Sequence, residues 1–375
     1  MWIDPLFPEL DDQTAQALEN FGLVLKKAVP LKSKHWQSLP YDIRDMSRAM
    51  TSESRGARKN YMTEANFLSA YLYYFLPWNL YRQSRLFPGL GLDVPDGGHV
   101  VDLGSGPLTV PLALWISRPE LRTRKLNFTC VDRSPKPMHM GLDIFRQLAG
   151  KDSPWRIKTV KGLFSDRIAG NADLLVSANA LNELVWTGRD EAQTGRIARR
   201  MAETVKPDGK VLIIETGVRQ TAHILDLFRT ALMEQGLLPL APCPHAEPCP
   251  MAGQGKEAWC HFNFMVKTAP EWLRDLSERA RLGKRNATMN FLYMSREGEL
   301  SGGVRTVSEA FPIPEGRGQY ACSDRGLTLL GYRGATTPTL FPGRLTKANW
   351  PEHPETDRKS GALILPTSSP AGPKK

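Results

Sequence analysis

The sequence is poor in cysteine, with five in 375 residues. It has no apolar run of about 18 residues, the length a membrane-crossing helix needs. The nearest candidate, YLYYFLPWNL at Tyr71–Leu80, is too short and contains Pro77, so no membrane partner is expected. The opening segment MWIDPLFPELDD is acidic. It lacks the basic start and apolar centre of a secretory signal, and it is unlike an Arg-rich mitochondrial presequence. The cytosol is the expected compartment, and there grouped cysteines indicate a metal or catalysis more than a disulfide. Also absent are an internal repeat, a coiled-coil pattern, a tight C-x2-C knuckle and a G-x-G-x-x-G fingerprint. With nothing to drive association, a monomer is expected.

Positive charge is in excess: 49 Lys and Arg against 39 Asp and Glu give a net +10, with a pI near 9.4. That balance suits a polyanion such as nucleic acid. Two basic stretches could supply contacts. The segment Lys32–Lys59 interleaves His35, Trp36 and Tyr41 with basic residues that include Arg55, Arg58 and Lys59; this combination can hold phosphates and stack bases. The run ERARLGKRN contributes Arg279, Arg281, Lys284 and Arg285. A solvated helix face is the alternative reading of each.

Hydrophobic residues make up 41% of the chain, enough for a large core and about two structural units. Residues 1–86 read as helical: Ala15, Leu18, Phe21 and Leu25 share one helix face, and Phe67, Ala70, Tyr71 and Tyr74 share another. A turn-rich link, FPGLGLDVPDGG, follows. Strands then alternate with helices over 87–299: HVVDLG, NFTCV, Arg156–Val160, DLLVS and KVLIIE, with Trp259–Met265 and Ala287–Ser295 as later strands. This rhythm predicts an α/β fold with a doubly wound parallel sheet. Residues 300–366 read as a small β module, and 367–375 as a disordered tail.

The first strand runs into VVDLGSGPLTVPLAL. Asp102, Gly104 and Gly106 form D-x-G-x-G at a strand-to-helix turn, where the backbone can pass close to a ligand. Asp132, at the end of the second strand in CVDRS, can hold two ribose hydroxyls. The pair resembles the first two motifs of class I methyltransferases, which bind S-adenosylmethionine. Leu108 stands where many of them have a third glycine, and a side chain at that position can narrow the cofactor cleft. Catalytic residues cannot be named. No N-P-P-aromatic motif follows the fourth strand, where the sequence is SANALNEL. Asn179, Asn182 and Glu183 could orient an acceptor or cap the next helix. Cys130 is expected in the core.

The other cysteines are grouped. Cys243, Cys249 and Cys260 are spaced C-x5-C-x10-C within 241–262, and Cys322 follows in YACSDRG. Four thiolates suit a zinc site or a four-iron cluster. The loose spacing favours the larger cluster, with zinc as the alternative. His245 and His261 could replace a thiolate at zinc.

Taken together, VVDLGSGPLTVPLAL, CVDRS, DLLVSANALNEL, VLIIETG, CPHAEPCP with WCHF, and YACSDRG resemble the methyltransferase-like small-ribosomal-subunit assembly proteins of bacteria and mitochondria. The resemblance covers roughly residues 60–330. It implies a class I methyltransferase-like fold in which Cys243, Cys249, Cys260 and Cys322 ligate a [4Fe-4S] cluster. It further implies S-adenosylmethionine at Asp102, Gly104, Gly106 and Asp132. The implied partners are small-subunit rRNA and the assembling subunit, in a bacterial cytoplasm. An active S-adenosylmethionine-dependent rRNA methyltransferase and a zinc-stabilised RNA-binding module are the alternatives. A radical S-adenosylmethionine enzyme is disfavoured because its C-x3-C-x2-C motif is missing.

Overall fold

The computed structural model describes residues 3–51, 64–164, 166, 168, 170–181, 191–254 and 258–367. Its centre is an eight-stranded sheet built from β1 His99–Leu103, β2 Asn127–Asp132, β3 Arg156–Lys161, β4 Ala172–Ala178, β5 Val205–Glu215, β6 Leu238–Ala241, β7 Phe262–Met265 and β8 Asn286–Ser295. The order is β3-β2-β1-β4-β5-β8-β6, with β7 paired to β8. The first five strands are parallel. β8 runs antiparallel to β5, β6 and β7. The sheet is therefore mixed, not parallel throughout as the β/α rhythm predicts. Strand order and the reversed β8 together make this a class I methyltransferase-like α/β fold.

Strand alternation divides the core into two layers. Val100, Leu212 and Ile214 pack on one face, and Val101, Val211 and Ile213 on the other, as a period of two requires. Helices Glu191–Thr204 and Arg219–Met233 cover the second face. The first face takes the N-terminal helices α1 Asp12–Ala28, α2 Ser33–Thr51, α3 Ala65–Ala70 and α4 Leu76–Gly89, together with α5 Thr109–Ser117 and α6 Pro135–Ala149. Asp11 caps α1 by accepting from Thr14 N at 2.7 Å. Leu18, Phe21 and Leu25 then form its buried stripe, each such side chain worth about 1.5–3 kcal/mol when fully buried. Tyr73 ties the end of α1 down, donating to Val29 O at 2.7 Å. Between α3 and α4, Tyr71–Phe75 is a π-turn, and Leu76 N reaches back to Tyr71 O. Pro77 follows, and its missing N–H explains why the regular register gives way there. The described N-terminal helices thus pack into the large core and form no core of their own.

A second sheet follows, of six strands: β9 Val304–Thr306, β10 Phe311–Ile313, β11 Gly316–Ser323, β12 Gly326–Arg333, β13 Leu345–Thr346 and β14 Leu363–Thr367. Their order is β13-β9-β11-β12-β14, with β10 on β11. Its own core is small: Val304, Ala321, Leu330, Tyr332 and Leu365. The next residue along β11, Cys322, joins the large core instead. One step along a strand reverses the face, and that step turns the thiol toward the first sheet.

Candidate functional site

The glycine loop leaves the C-terminal end of β1, an inner strand between β2 and β4. Gly104 N and Ser105 N donate to Val131 O at 2.8 and 3.1 Å, which fastens the loop to β2. Gly104 and Gly106 have φ of +72° and +47°, a region that favours glycine. The two differ in what surrounds them. A Cβ on Gly104 would lie 2.3 Å from Ala180 Cβ and 3.0 Å from Phe164 Cζ, whereas one on Gly106 would meet nothing within 4 Å. Asp132 closes the loop: its Oδ2 accepts from Gly106 N at 3.0 Å and its Oδ1 from Ser134 N at 2.8 Å. A carboxylate offers about four lone-pair directions, so Asp132 keeps capacity for a further donor on each oxygen.

Asp102 is 1% exposed, and neither carboxylate oxygen has a hydrogen-bond partner among the described residues. Burial, and then the charge of Asp132, push its pKa well above the usual carboxylate range. Cys130 is the Cα partner of Asp102 in the β1–β2 ladder and is fully buried. Leu108 does not narrow the cleft, as its sequence position would allow. It adopts the left-handed region (φ +60°) and is fully buried, and a Cβ on Gly141 would lie 2.8 Å from its Cγ. Its side chain therefore packs beneath α6. Asn179 also has positive φ (+56°), and its N–H donates to Ile214 O at 2.8 Å; Asn182 and Glu183 lie outside the described residues.

The cysteines of 241–262 occupy the connection from β6 to β7. Ala252 bridges Trp259, and Cys260 N donates to Met251 O at 2.9 Å, so the loop folds back on itself. Pro244 O accepts from Gly302 N at 2.9 Å, which joins the loop to the entry of the second sheet. Cys322 arrives from β11. The four thiols act on one another: burial raises each pKa, and the negative charges of the other cysteines raise those of Cys249, Cys260 and Cys322 further. Cys249 is pushed up to about 12. Among the described residues, no three or more His, Cys, Asp or Glu are grouped to hold a single metal ion. The two histidines differ. His245 Nε2 lies 3.0 Å from Cys322 Sγ, and burial with the charge of Arg229 lowers its pKa to about 4. His261 is stacked on Trp259 and bonded to that residue's carbonyl.

The model of the family described as "Mitochondrial small ribosomal subunit Rsm22" matches residues 94–280. The chain belongs to this methyltransferase-like small-ribosomal-subunit family. The Rsm22 match spans the glycine loop, Asp132 and the first three cysteines, and ends before Cys322. No curated protein matches the chain in sequence. Solved structures similar to it include a TehB-like SAM-dependent methyltransferase from Corynebacterium glutamicum. That match has 14% identity and a TM-score of 0.31, and covers 57% of this chain and 87% of that one. Another is phosphoethanolamine N-methyltransferase 2 of Haemonchus contortus in complex with S-adenosyl-L-methionine. Here identity is 14% and the TM-score 0.38, with 64% and 60% of the chains covered. The fold assignment rests on the strand order, not on these scores.

Of the basic candidates, Arg55, Arg58 and Lys59 lie outside the described residues. Arg281 and Arg285 are exposed, just past the helix Glu271–Arg279. Lys284 is half-buried, its amine 5.9 Å from the Tyr74 ring centre and 5.8 Å from that of Trp78. Burial and the neighbouring Arg82 lower its pKa to about 8. It is thus an aromatic-packed cation rather than an open phosphate contact. A cavity of about 490 Å³ opens beside the cysteine loop, lined by Glu191, Arg219, Gln220, His223, Gly253 and Gln254. The Arg219 guanidinium lies 4.6 Å over the Trp259 ring at its side.

Two buried arginines escaped the sequence reading. Arg229 and Arg305 are 4% and 0% exposed and face the cysteines. A signal for one was present: Arg229 continues the stripe Ala222, Leu225, Phe228 and Leu232, where an apolar residue is the norm.

Proposed function

We propose that this chain is an assembly factor of the small ribosomal subunit that binds its rRNA and holds a structural [4Fe-4S] cluster. In this reading the ligands are Cys243, Cys249, Cys260 and Cys322. One observation supports it: Cys249 and Cys260, from the β6–β7 connection, pack against the same core that takes Cys322 from β11 of the second sheet. A four-iron cluster takes such soft sulfur donors; a zinc ion held by the same thiolates is the alternative. Bound, the cluster would supply crosslinking between the Cys243–Cys260 loop and β11, and its binding energy would become folding energy. Iron, acid-labile sulfide and zinc per chain, measured on protein purified without oxygen, test this. About four iron and four sulfide support it; one zinc without sulfide sinks the cluster.

S-adenosylmethionine fits the glycine loop. Asp102 is a buried carboxylate without a partner among the described residues, Gly106 faces open space, and Asp132 has acceptor capacity to spare. The cofactor's ammonium and sulfonium would offset the charge of Asp102, and its ribose hydroxyls would meet Asp132. Titration calorimetry with S-adenosylmethionine tests this part.

An active rRNA methyltransferase is the second reading, favoured by the methyltransferase-like strand order and glycine loop. Transfer of tritium from labelled S-adenosylmethionine to immature small subunits would establish it. The excess of positive charge supports the rRNA part of the proposal. A bacterial cytoplasm is the proposed compartment; no helix among the described residues is long and apolar enough to cross a membrane.

A further inference from the structure

Two guanidinium groups flank the four cysteines, and the surrounding protein leaves a donor idle on each. Arg305 lies on β9, directly opposite Cys322 on β11, so both side chains stand on one face of that sheet. Its Nε donates to Pro242 O at 3.1 Å, and its Nη1 to Ile3 O at 2.8 Å and Gly343 O at 2.9 Å. Its Nη2 has no hydrogen-bond partner among the described residues. Arg229, on the helix Arg219–Met233, donates from Nη2 to His245 O at 3.0 Å and Glu247 O at 2.7 Å. Its Nε is without a partner among the described residues, while its side chain already hydrogen-bonds the Cys243 thiol.

Both charges bear on the thiols. Arg229 and Arg305 act on Cys243, and Arg229 acts on Cys322. Asp4, whose field reaches Arg305, pairs with Arg344 at 3.3 Å. Asp226 acts on Arg229 across partial burial. An idle donor on a buried cation is costly unless an anion arrives to meet it.

We propose that Arg305 Nη2 and Arg229 Nε donate hydrogen bonds to the sulfur atoms of the cluster, and that Arg305 couples cluster occupancy to the docking of three segments. The inference rests on the cluster reading above. Four thiolates around a four-iron core leave a net negative charge, and two arginines offset it in a site closed to water. Arg305 meanwhile holds Pro242 beside the first ligand, Ile3 in the N-terminal segment and Gly343 in the C-terminal segment. Filling the cluster site completes its fourth contact and fixes all three. Both arginines are positioning residues for the cluster, not ligands.

The test uses the full chain, reconstituted with iron and sulfide without oxygen. Arg229→Gln and Arg305→Lys are compared with wild type for iron content, rate of iron loss to a chelator, and midpoint potential. Donors aimed at sulfur favour the more negative, reduced cluster. The expected result is a more negative potential in Arg229→Gln, and iron loss about tenfold faster. Arg305→Lys keeps the charge but loses the fork, and is expected to show a smaller shift in the same direction. Arg305→Gln also removes three carbonyl ties, so it is read only by proteolysis, with faster cleavage of 300–367 expected. Full iron with unchanged potential and release rate in both Arg229→Gln and Arg305→Lys overturns the proposal alone. A wild-type chain that takes up neither iron nor sulfide overturns the cluster reading and this inference with it.

Discussion

The glycine loop and the cysteine pocket are electrostatic opposites. At the loop a buried carboxylate, Asp102, has no hydrogen-bond partner among the described residues. In the pocket two buried arginines each have a donor without one among those residues. Each site is incomplete in the sense of charge, and each calls for a ligand of the other sign. They also differ in how they are built. The loop is local: Asp102 to Gly106 lie in one turn, fastened to the neighbouring strand. The pocket draws on β6, β7, β9, β11 and a helix, so its integrity depends on two sheets staying together.

That contrast breaks most easily at the cysteines. Cys322→Ser is expected to cost most of the bound iron, lower Tm by several degrees and expose 300–367 to protease, because metal binding is folding energy. Iron assay and limited proteolysis read this out. An equal loss of iron from a substitution in the glycine loop would erase the distinction.

Within the loop, the two glycines are expected to separate packing from binding. Gly104→Ala drives a methyl into Ala180 and Phe164 at positive φ, and should cost about 2–4 kcal/mol in chemical denaturation. Gly106→Ala faces open space and should cost about 1 kcal/mol, while weakening S-adenosylmethionine in calorimetry. Gly106 is therefore the position at which to test the cofactor, and a large stability loss there would contradict the geometry.

Asp102→Asn should move stability and affinity in opposite directions. Because its folded pKa is raised, Asp102 contributes stability only in its protonated form. That contribution is present below about pH 4 and is lost as pH rises through the raised value. Relative to wild type, the variant should therefore gain up to about 1–3 kcal/mol toward neutral pH and lose affinity for S-adenosylmethionine. Thermal melts from pH 4 to 8 decide it; a variant that is less stable throughout refutes the unpaired carboxylate.

The smallest effects are expected at the basic surface. Arg281→Ala and Arg285→Ala should each reduce the salt dependence of rRNA binding by about 0.7–0.9 in the log–log slope. Lys284→Ala should change it less, since its amine packs on Tyr74 and Trp78. Filter binding at several salt concentrations compares the three.

Much of this was legible in the chain itself. The strands β1, β2, β4 and β5 announce themselves by apolar runs and β3 by alternation (RIKTVK), and the acid at the end of β2 falls where its strand ends. The short strands did not. LPLA in β6 holds only four residues with a proline among them, and β13 has two; neither is long enough to show a period. The reversed direction of β8 has no local signature either, because an apolar run reads the same in both directions. Leu108 misled for a related reason: its position in the motif was visible, but the direction of its side chain depends on Gly141, 33 residues later.

The sequence alone determined the β/α rhythm, the glycine turn, the acid that closes it and the grouping of three cysteines, because these follow from neighbours a few residues apart. Tertiary structure alone decided that Cys322 turns away from its own small core, and that Arg305 stands opposite it. Both depend on pairing between β9 and β11 and on which face of that sheet meets the large core. Such pairings form between segments far apart in the chain, and they are fixed by the burial of whole surfaces, which no short stretch of sequence specifies.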